Sequence, residues 1–331
     1  MKALQSQVLL TFDIEGPAPI EDFFNDVAVD CLRTTLDLLD DKDVRGFFFI
    51  TGSAAEKLCE YPDLVRQLSR HEIGYHSSSH SIRPRIVEYT DVRNYDEAVS
   101  ISLKRETSHV DGNGRIKGEG GILALREVFP RKDIICFRAP FLAWTPPHLE
   151  ALRKLGIKFD FSASIANCPI SFRGVTFYPF PIPIDDCLLA TFVRREPNRV
   201  FPTPILGMLL RRRVTVFFMH PTNLRVGNAF GDRDMCQIAG NVRTKINISL
   251  LQLLLERMLI LQRLNLIEIS SSLSRNWRSL HLEETDIERI YWQSVRSQID
   301  LFGYSPRFIL SHFRRFFGQG SSYGSEMGSL F

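Results

Sequence analysis

Four short runs of the chain carry the residue types that hydrolytic chemistry needs. Thr11-Phe12-Asp13-Ile14-Glu15-Gly16 closes an apolar, strand-like run; side chains alternate along a strand, so Asp13 and Glu15 face the same way. Two carboxylates so placed repel unless a cation or an arginine separates their duties. In His76-Ser77-Ser78-Ser79-His80 the histidines stand at i and i+4, a spacing that lets two rings grip one metal ion. Ser77 occupies the place of a zincin's general-base Glu, which excludes that class. Phe137-Arg138-Ala139-Pro140-Phe141 offers an arginine to keep one carboxylate ionised and oriented. Phe217-Phe218-Met219-His220-Pro221 adds a histidine, whose charge changes near neutral pH and which suits a general acid. Each run alone also has a plainer reading: an acidic loop, exposed histidines, a surface arginine, a core histidine.

Each run must be held by the strand before it. Strands are predicted at 8–14, 44–51, 72–76, 133–137, 158–162, 175–180, 214–219 and 266–270. Between them fall predicted helices at 29–39, 53–70 (broken at Pro62-Asp63), 95–109, 122–129, 146–155 and 248–263, and a Gly-rich turn at 112–121. The alternation predicts an α/β fold around a parallel sheet, open or closed into a barrel. Pro146-Pro147 and Gly156 bracket one helix by the usual proline-start, glycine-stop asymmetry. In a barrel, catalytic groups gather at the C-terminal strand ends, and all four runs fall there.

Composition sets the outer bounds. The 331 residues hold 41 Lys and Arg against 38 Asp and Glu, a net charge of +3, with 44% hydrophobic and 24% charged residues. Those values exclude disorder and a disulfide scaffold for the whole chain, and the charge is too weak to imply a nucleic-acid partner. Six cysteines without a C-x-x-C pair suit reduced, mostly buried thiols. With no signal-like or membrane-spanning apolar run, the expected location is cytoplasmic. Length allows one large barrel, 1–273, followed by an extension at 274–331.

In sequence order the runs read T-F-D-x-E-G, H-S-x-x-H, F-R-x-P-F and M-H-P, accompanied by Phe47-Phe48-Phe49-Ile50-Thr51-Gly52 and His71-Glu72-Ile73-Gly74-Tyr75-His76. This set resembles the polysaccharide deacetylase family, the NodB-homology domain of carbohydrate esterase family 4, over about residues 8–273. The first motif is a variant: adjacent aspartates are commoner than Asp13-Ile14-Glu15. The resemblance implies a distorted (β/α) barrel of about seven strands and metal-dependent removal of N- or O-acetyl groups from sugars. It further implies Asp13 as catalytic base, Arg138 as its partner and His220 as general acid. Asp185 or Asp186 would orient His220, and the Phe141 backbone N–H would help hold the oxyanion. Glu15, His76 and His80 would bind the metal, while Asp160 matches a recurrent aspartate of structural role. Zn²⁺ suits the ligands best, with Co²⁺, Ni²⁺, Mn²⁺ and Fe²⁺ as alternatives.

The expected substrate is an N-acetylated sugar, in particular a lipid- or nucleotide-linked precursor of a surface polysaccharide. Two other readings keep the fold: an allantoinase-like amide hydrolase and an inactive sugar-binding module. The stretch 304–317 is basic and aromatic, and 301–325 holds no acid. It reads as a helix docked on the barrel or on another subunit of a homo-oligomer. Peripheral membrane contact is the second reading. Arg211-Arg212-Arg213 reads as a solvated face, or else as a contact for substrate phosphate.

Overall fold

The first strand, β1 (Ser6–Ile14), is buried along all nine residues, as expected of a parallel strand covered on both faces. The computed structural model describes residues 6–15, 26–79, 95–110, 115–142, 146–162, 169–172, 174–179, 181–183, 209–221, 236–273 and 280–281. One edge of β1 pairs in parallel with β11 (Val214–Met219). The other edge is shared: β12 (Ile267–Ile269) lies beside its start and β2 (Phe47–Ile50) beside its end. From β2 the sheet continues through β3 (Glu72–Tyr75), β6 (Cys136–Phe137), β7 (Phe159–Asp160) and β9 (Val175–Phe177), all parallel. A parallel sheet of seven strands curls into a half-barrel, the distorted barrel that the motifs implied. Shorter strands extend it: β10 (Ile182–Pro183) beside β11, and β8 (Ile170–Phe172) antiparallel to β9. Beyond the expected boundary at 273, β13 (Leu280–His281) pairs with β8, so the sheet takes in residues of the extension.

Helices cover the outer face. They are α1 (Asp26–Asp41), α2 (Gly52–Leu58), α3 (Pro62–Leu68), α4 (Tyr95–Glu106), α5 (Ile122–Val128), α6 (Pro146–Lys154) and α7 (Cys236–Arg263). Pro62 divides the expected 53–70 helix, and the Thr51 hydroxyl caps α2 by accepting from Ala54 N–H at 3.2 Å. The expected helix at 95–109 ends at Glu106; the next residues form an antiparallel pair, β4 (Ser108–Val110) with β5 (Ile116–Glu119), where a glycine-rich turn was expected. Gly156 stops the chain after α6 with φ 90°, as the asymmetry of Pro146 and Gly156 requires. α7 starts twelve residues before the apolar repeat begins and buries Leu251, Leu254, Leu255, Met258 and Leu261 on one stripe.

The period of two sorts the apolar residues into two cores. Leu9, Phe47, Phe49, Phe161, Tyr178 and Val216 fill the inside of the curl. Their neighbours Val8, Leu10, Phe48, Ile50 and Phe217 pack outward against the helices. Each fully buried ring or branched chain contributes about 1.5–3 kcal/mol, so a one-residue slip of any strand would exchange the two sets at prohibitive cost.

Cys31 and Cys136 are buried free thiols, while Cys59 is exposed. Among the described residues, no helix is long and apolar enough to cross a membrane. The stretch 304–317 lies outside the described residues.

Candidate active site

Register brings the four runs to one mouth. Phe12 pairs with Met219, Asp13 with Phe49, Ile50 with Tyr75, Tyr75 with Phe137, and Phe137 with Asp160. The residues just past these strand ends, Glu15, His76, Arg138 and His220, therefore emerge side by side. Their parity matches Leu9 and Phe49, so they continue the inner face.

Arg138 is the deepest of them and is fully buried. Its Nη1 donates to Asp13 Oδ1 at 2.6 Å, Nη2 to Thr11 Oγ1 at 2.7 Å, and Nε to the Phe161 carbonyl at 3.2 Å. Thr11 passes its own proton to the Phe217 carbonyl at 2.7 Å, so its hydroxyl presents a lone pair to the guanidinium. The guanidinium carbon lies 4.5 Å from the Phe49 ring centre and 5.4 Å from that of Phe218. Such stacking suits a weakly hydrated planar cation. Burial lowers the Arg138 pKa, and the Asp13 carboxylate works against that shift. Gly74 supplies the room: a Cβ there would fall 2.5 Å from Phe49 ring atoms. Asp13 is thus an almost fully buried carboxylate fixed by one charge-assisted bond.

Glu15 stands nearer the opening, with 16% of its side chain exposed. One carboxylate oxygen lies 2.5 Å from His76 Nε2 and the other 3.3 Å from His220 Nε2. His76 Nδ1 lies 2.7 Å from the Arg138 carbonyl, which can only accept, so Nδ1 carries a proton and Nε2 is the ring nitrogen turned toward Glu15. A metal-binding histidine is normally fixed in this way by a backbone carbonyl. The imidazole and carboxylate donors therefore fit a divalent ion. Among the described residues no three such donors form a cluster. His80, the expected third ligand, lies outside the described residues, as do Asp185 and Asp186.

The Arg138 run is tied down from behind. Pro140–Leu142 forms a single 3₁₀ turn that carries the Phe141 backbone, and Leu142 N donates to the Ala139 carbonyl at 2.8 Å. Ala139 N donates to Ser162 Oγ at 2.7 Å; Ser162 in turn donates to Asp160 through its N–H at 2.9 Å and its hydroxyl at 3.1 Å. Burial raises Asp160 from its ordinary 3.8 to about 7, against the opposing pull of the Ser162 donors.

Asp13, Glu15, His76, Arg138 and His220 thus meet at one mouth. Arg211-Arg212-Arg213 does not: Gln7 N donates to the Arg213 carbonyl and Ser6 Oγ to that of Arg212, which puts the run at the opposite end of the sheet. Sequence reasoning missed Thr11 and the two rings flanking Arg138. All three follow from the same alternation that paired Asp13 with Glu15. It also missed Glu106 and His148, whose partners come from elements distant in sequence.

A family model described as "Polysaccharide deacetylase" matches residues 2–159. A Mycobacterium smegmatis protein described as a polysaccharide deacetylase superposes with a TM-score of 0.52 at 16% identity, covering 88% of this chain and 93% of that one. A Streptococcus mutans CE4 esterase gives 0.42 at 17% identity, covering 84% and 87%. A Bordetella bronchiseptica protein described as a polysaccharide deacetylase involved in O-antigen biosynthesis gives 0.43 at 16%, covering 77% and 91%. At 16% identity the likeness to the Mycobacterium smegmatis structure shows the fold alone. No curated protein sequence matches.

Proposed function

We propose that this chain, whose residues 2–159 match the polysaccharide deacetylase family model, is a member of that family and a metal-dependent hydrolase removing an N-acetyl group from a carbohydrate. The substrate class is a lipid- or nucleotide-linked precursor of a surface polysaccharide, handled inside the cell. One observation carries the reading: a buried carboxylate, Asp13, held by a buried Arg138 at 2.6 Å, next to a Glu15–His76 pair whose donors converge.

Amide hydrolysis needs an activated water, a polarised carbonyl and a protonated leaving nitrogen. Glu15, His76 and His80 are assigned to hold the ion, with Zn²⁺ the best match to nitrogen and carboxylate donors. When bound, such an ion lowers the pKa of water and polarises the carbonyl oxygen. Asp13 takes the proton from the attacking water, because Arg138 fixes the direction of its carboxylate. The Phe141 backbone N–H donates to the oxygen that becomes negative as water adds to the carbonyl carbon. His220 gives a proton to the departing nitrogen as the C–N bond breaks, leaving acetate and an amino sugar. Asp185, or its neighbour Asp186, is assigned to orient His220.

The test is acetate release by the full-length chain from N-acetylglucosamine oligomers, nucleotide-linked acetamido sugars and lipid-linked acetamido sugars, with allantoin as comparison. Acetate from a sugar substrate is expected. Opening of allantoin with no acetate from any sugar would move the site to the non-sugar branch. Metal binding to none of these sites, with no turnover, would mark an inactive sugar-binding module.

A further inference from the structure

On the helix side of the same strand ends lies a polar cluster that the proposed hydrolysis does not use. Glu106, the last residue of α4, is fully buried. Its Oε2 accepts from the Tyr75 hydroxyl at 2.6 Å and from Ser77 Oγ at 3.2 Å; Oε1 accepts from Ser77 Oγ at 3.1 Å and lies 2.7 Å from His148 Nε2 of α6. Tyr75 and Ser77 are the two chain neighbours of His76. A carboxylate accepts only, so Glu106 grips both of them by their hydroxyl protons.

The backbone between them is strained. Ser77 has φ 66°, in the left-handed region where side chains other than glycine are uncommon. A residue stays there only when its surroundings over-determine it. Here the surroundings are countable: Gly52 N donates to the Ser77 carbonyl at 3.0 Å, Ser53 N to the Ser78 carbonyl at 2.9 Å, and Ser77 Oγ to Glu106. Gly121, itself at φ 61°, closes over the cluster; a Cβ at that position would fall 2.3 Å from the Glu106 carbonyl oxygen and 3.0 Å from the Tyr75 hydroxyl. Burying a polar pair such as Glu106 and His148 gives little net stability compared with apolar packing. What it does fix is position.

We propose that Glu106 is a positioning residue for the metal centre. By holding Tyr75 and Ser77 it sets the strained turn that aims His76 Nε2 at Glu15 while Nδ1 donates to the Arg138 carbonyl. The inference rests on reading Glu15 and His76 as metal ligands.

Zinc affinity of the full-length chain, measured by competition with a chromophoric chelator, separates the two ideas. The visible spectrum of the Co²⁺ form and the melting temperature of the metal-free form accompany it. Ser77→Ala, which removes one hydroxyl and adds no bulk, should weaken zinc binding roughly tenfold and alter the Co²⁺ spectrum. Glu106→Ala should do more, and Glu106→Gln, which retains an acceptor, should recover part of the loss. Leu125→Ala, in the outer core, should lower the melting temperature and leave zinc affinity unchanged. If Glu106→Ala fails to fold, Ser77→Ala still decides the matter. Variants that melt earlier but bind zinc as the wild type does would reduce Glu106 to a structural residue. Failure of the wild type to bind zinc would instead overturn the ligand reading, and the positioning role with it.

Discussion

The two faces of one set of strand ends bury charge in different ways. On the inner face the charges grade outward: Arg138 is sealed, Asp13 nearly so, Glu15 is 16% exposed and the His220 side chain 26%. On the outer face Glu106 and His148 are sealed together, and their bonds end on the protein itself. Groups that must meet a substrate need one open side and one rigid side. Groups that shape the backbone need no opening. The difference separates chemistry from positioning without recourse to motif.

Four substitutions sharpen or break that distinction. Asp13→Asn should give the largest effect, an activity loss of roughly 10²–10⁴-fold with the fold retained, measured as acetate release beside circular dichroism. Near wild-type turnover would remove Asp13 from the chemistry. Arg138→Met should cost about 3–5 kcal/mol, since it leaves the Asp13 carboxylate buried without its cation; urea unfolding checks it. A loss below about 1 kcal/mol would mean that water replaces the pairing.

Asp160→Asn should stabilise the protein at pH 8, with about 4 kcal/mol as a ceiling from a rise of roughly three pKa steps. The raised folded pKa means that Asp160's contribution is fully present below pH 3.8 and is lost as pH rises through about 7. The gap between variant and wild type should therefore widen from pH 4 to pH 7 and then level off. His71, pushed down from 6.5 to about 4 by burial, gives the opposite slope: its contribution is present above pH 6.5 and is lost as pH falls toward 4. Both proteins carry His71, so the difference isolates Asp160. A gap that does not vary with pH would refute the shift. The smallest effect belongs to the outer face. Tyr75→Phe should cost about 1–3 kcal/mol by removing a donor from Glu106, again read from urea midpoints.

The alternation of Asp13 with Glu15, and the position of each motif after an apolar run, was enough to read the inner face from the chain. The parallel sheet followed from strand–helix alternation, although several strands came out shorter: β2 spans Phe47–Ile50 within the expected 44–51. The outer face was hidden for a physical reason. Glu106 ends a charged run, Lys104-Arg105-Glu106, that reads as a solvent-facing helix end, and His148 follows two helix-starting prolines. Their meeting depends on how α4 and α6 pack, at a sequence separation of 42 residues. Ser77 gave no sign of its left-handed backbone, because a serine there is allowed only by its neighbours. His80 and Asp185, legible through the family resemblance, lie outside the described residues.

The central claim is a metal centre at the mouth, and a crystal of the full-length chain grown with Zn²⁺ tests it most directly. Anomalous scattering at the zinc edge should give one strong peak bounded by Glu15, His76 and His80, with Asp13 close by but not a principal ligand. A peak elsewhere, or none at this mouth under conditions where the protein releases acetate, would contradict the account.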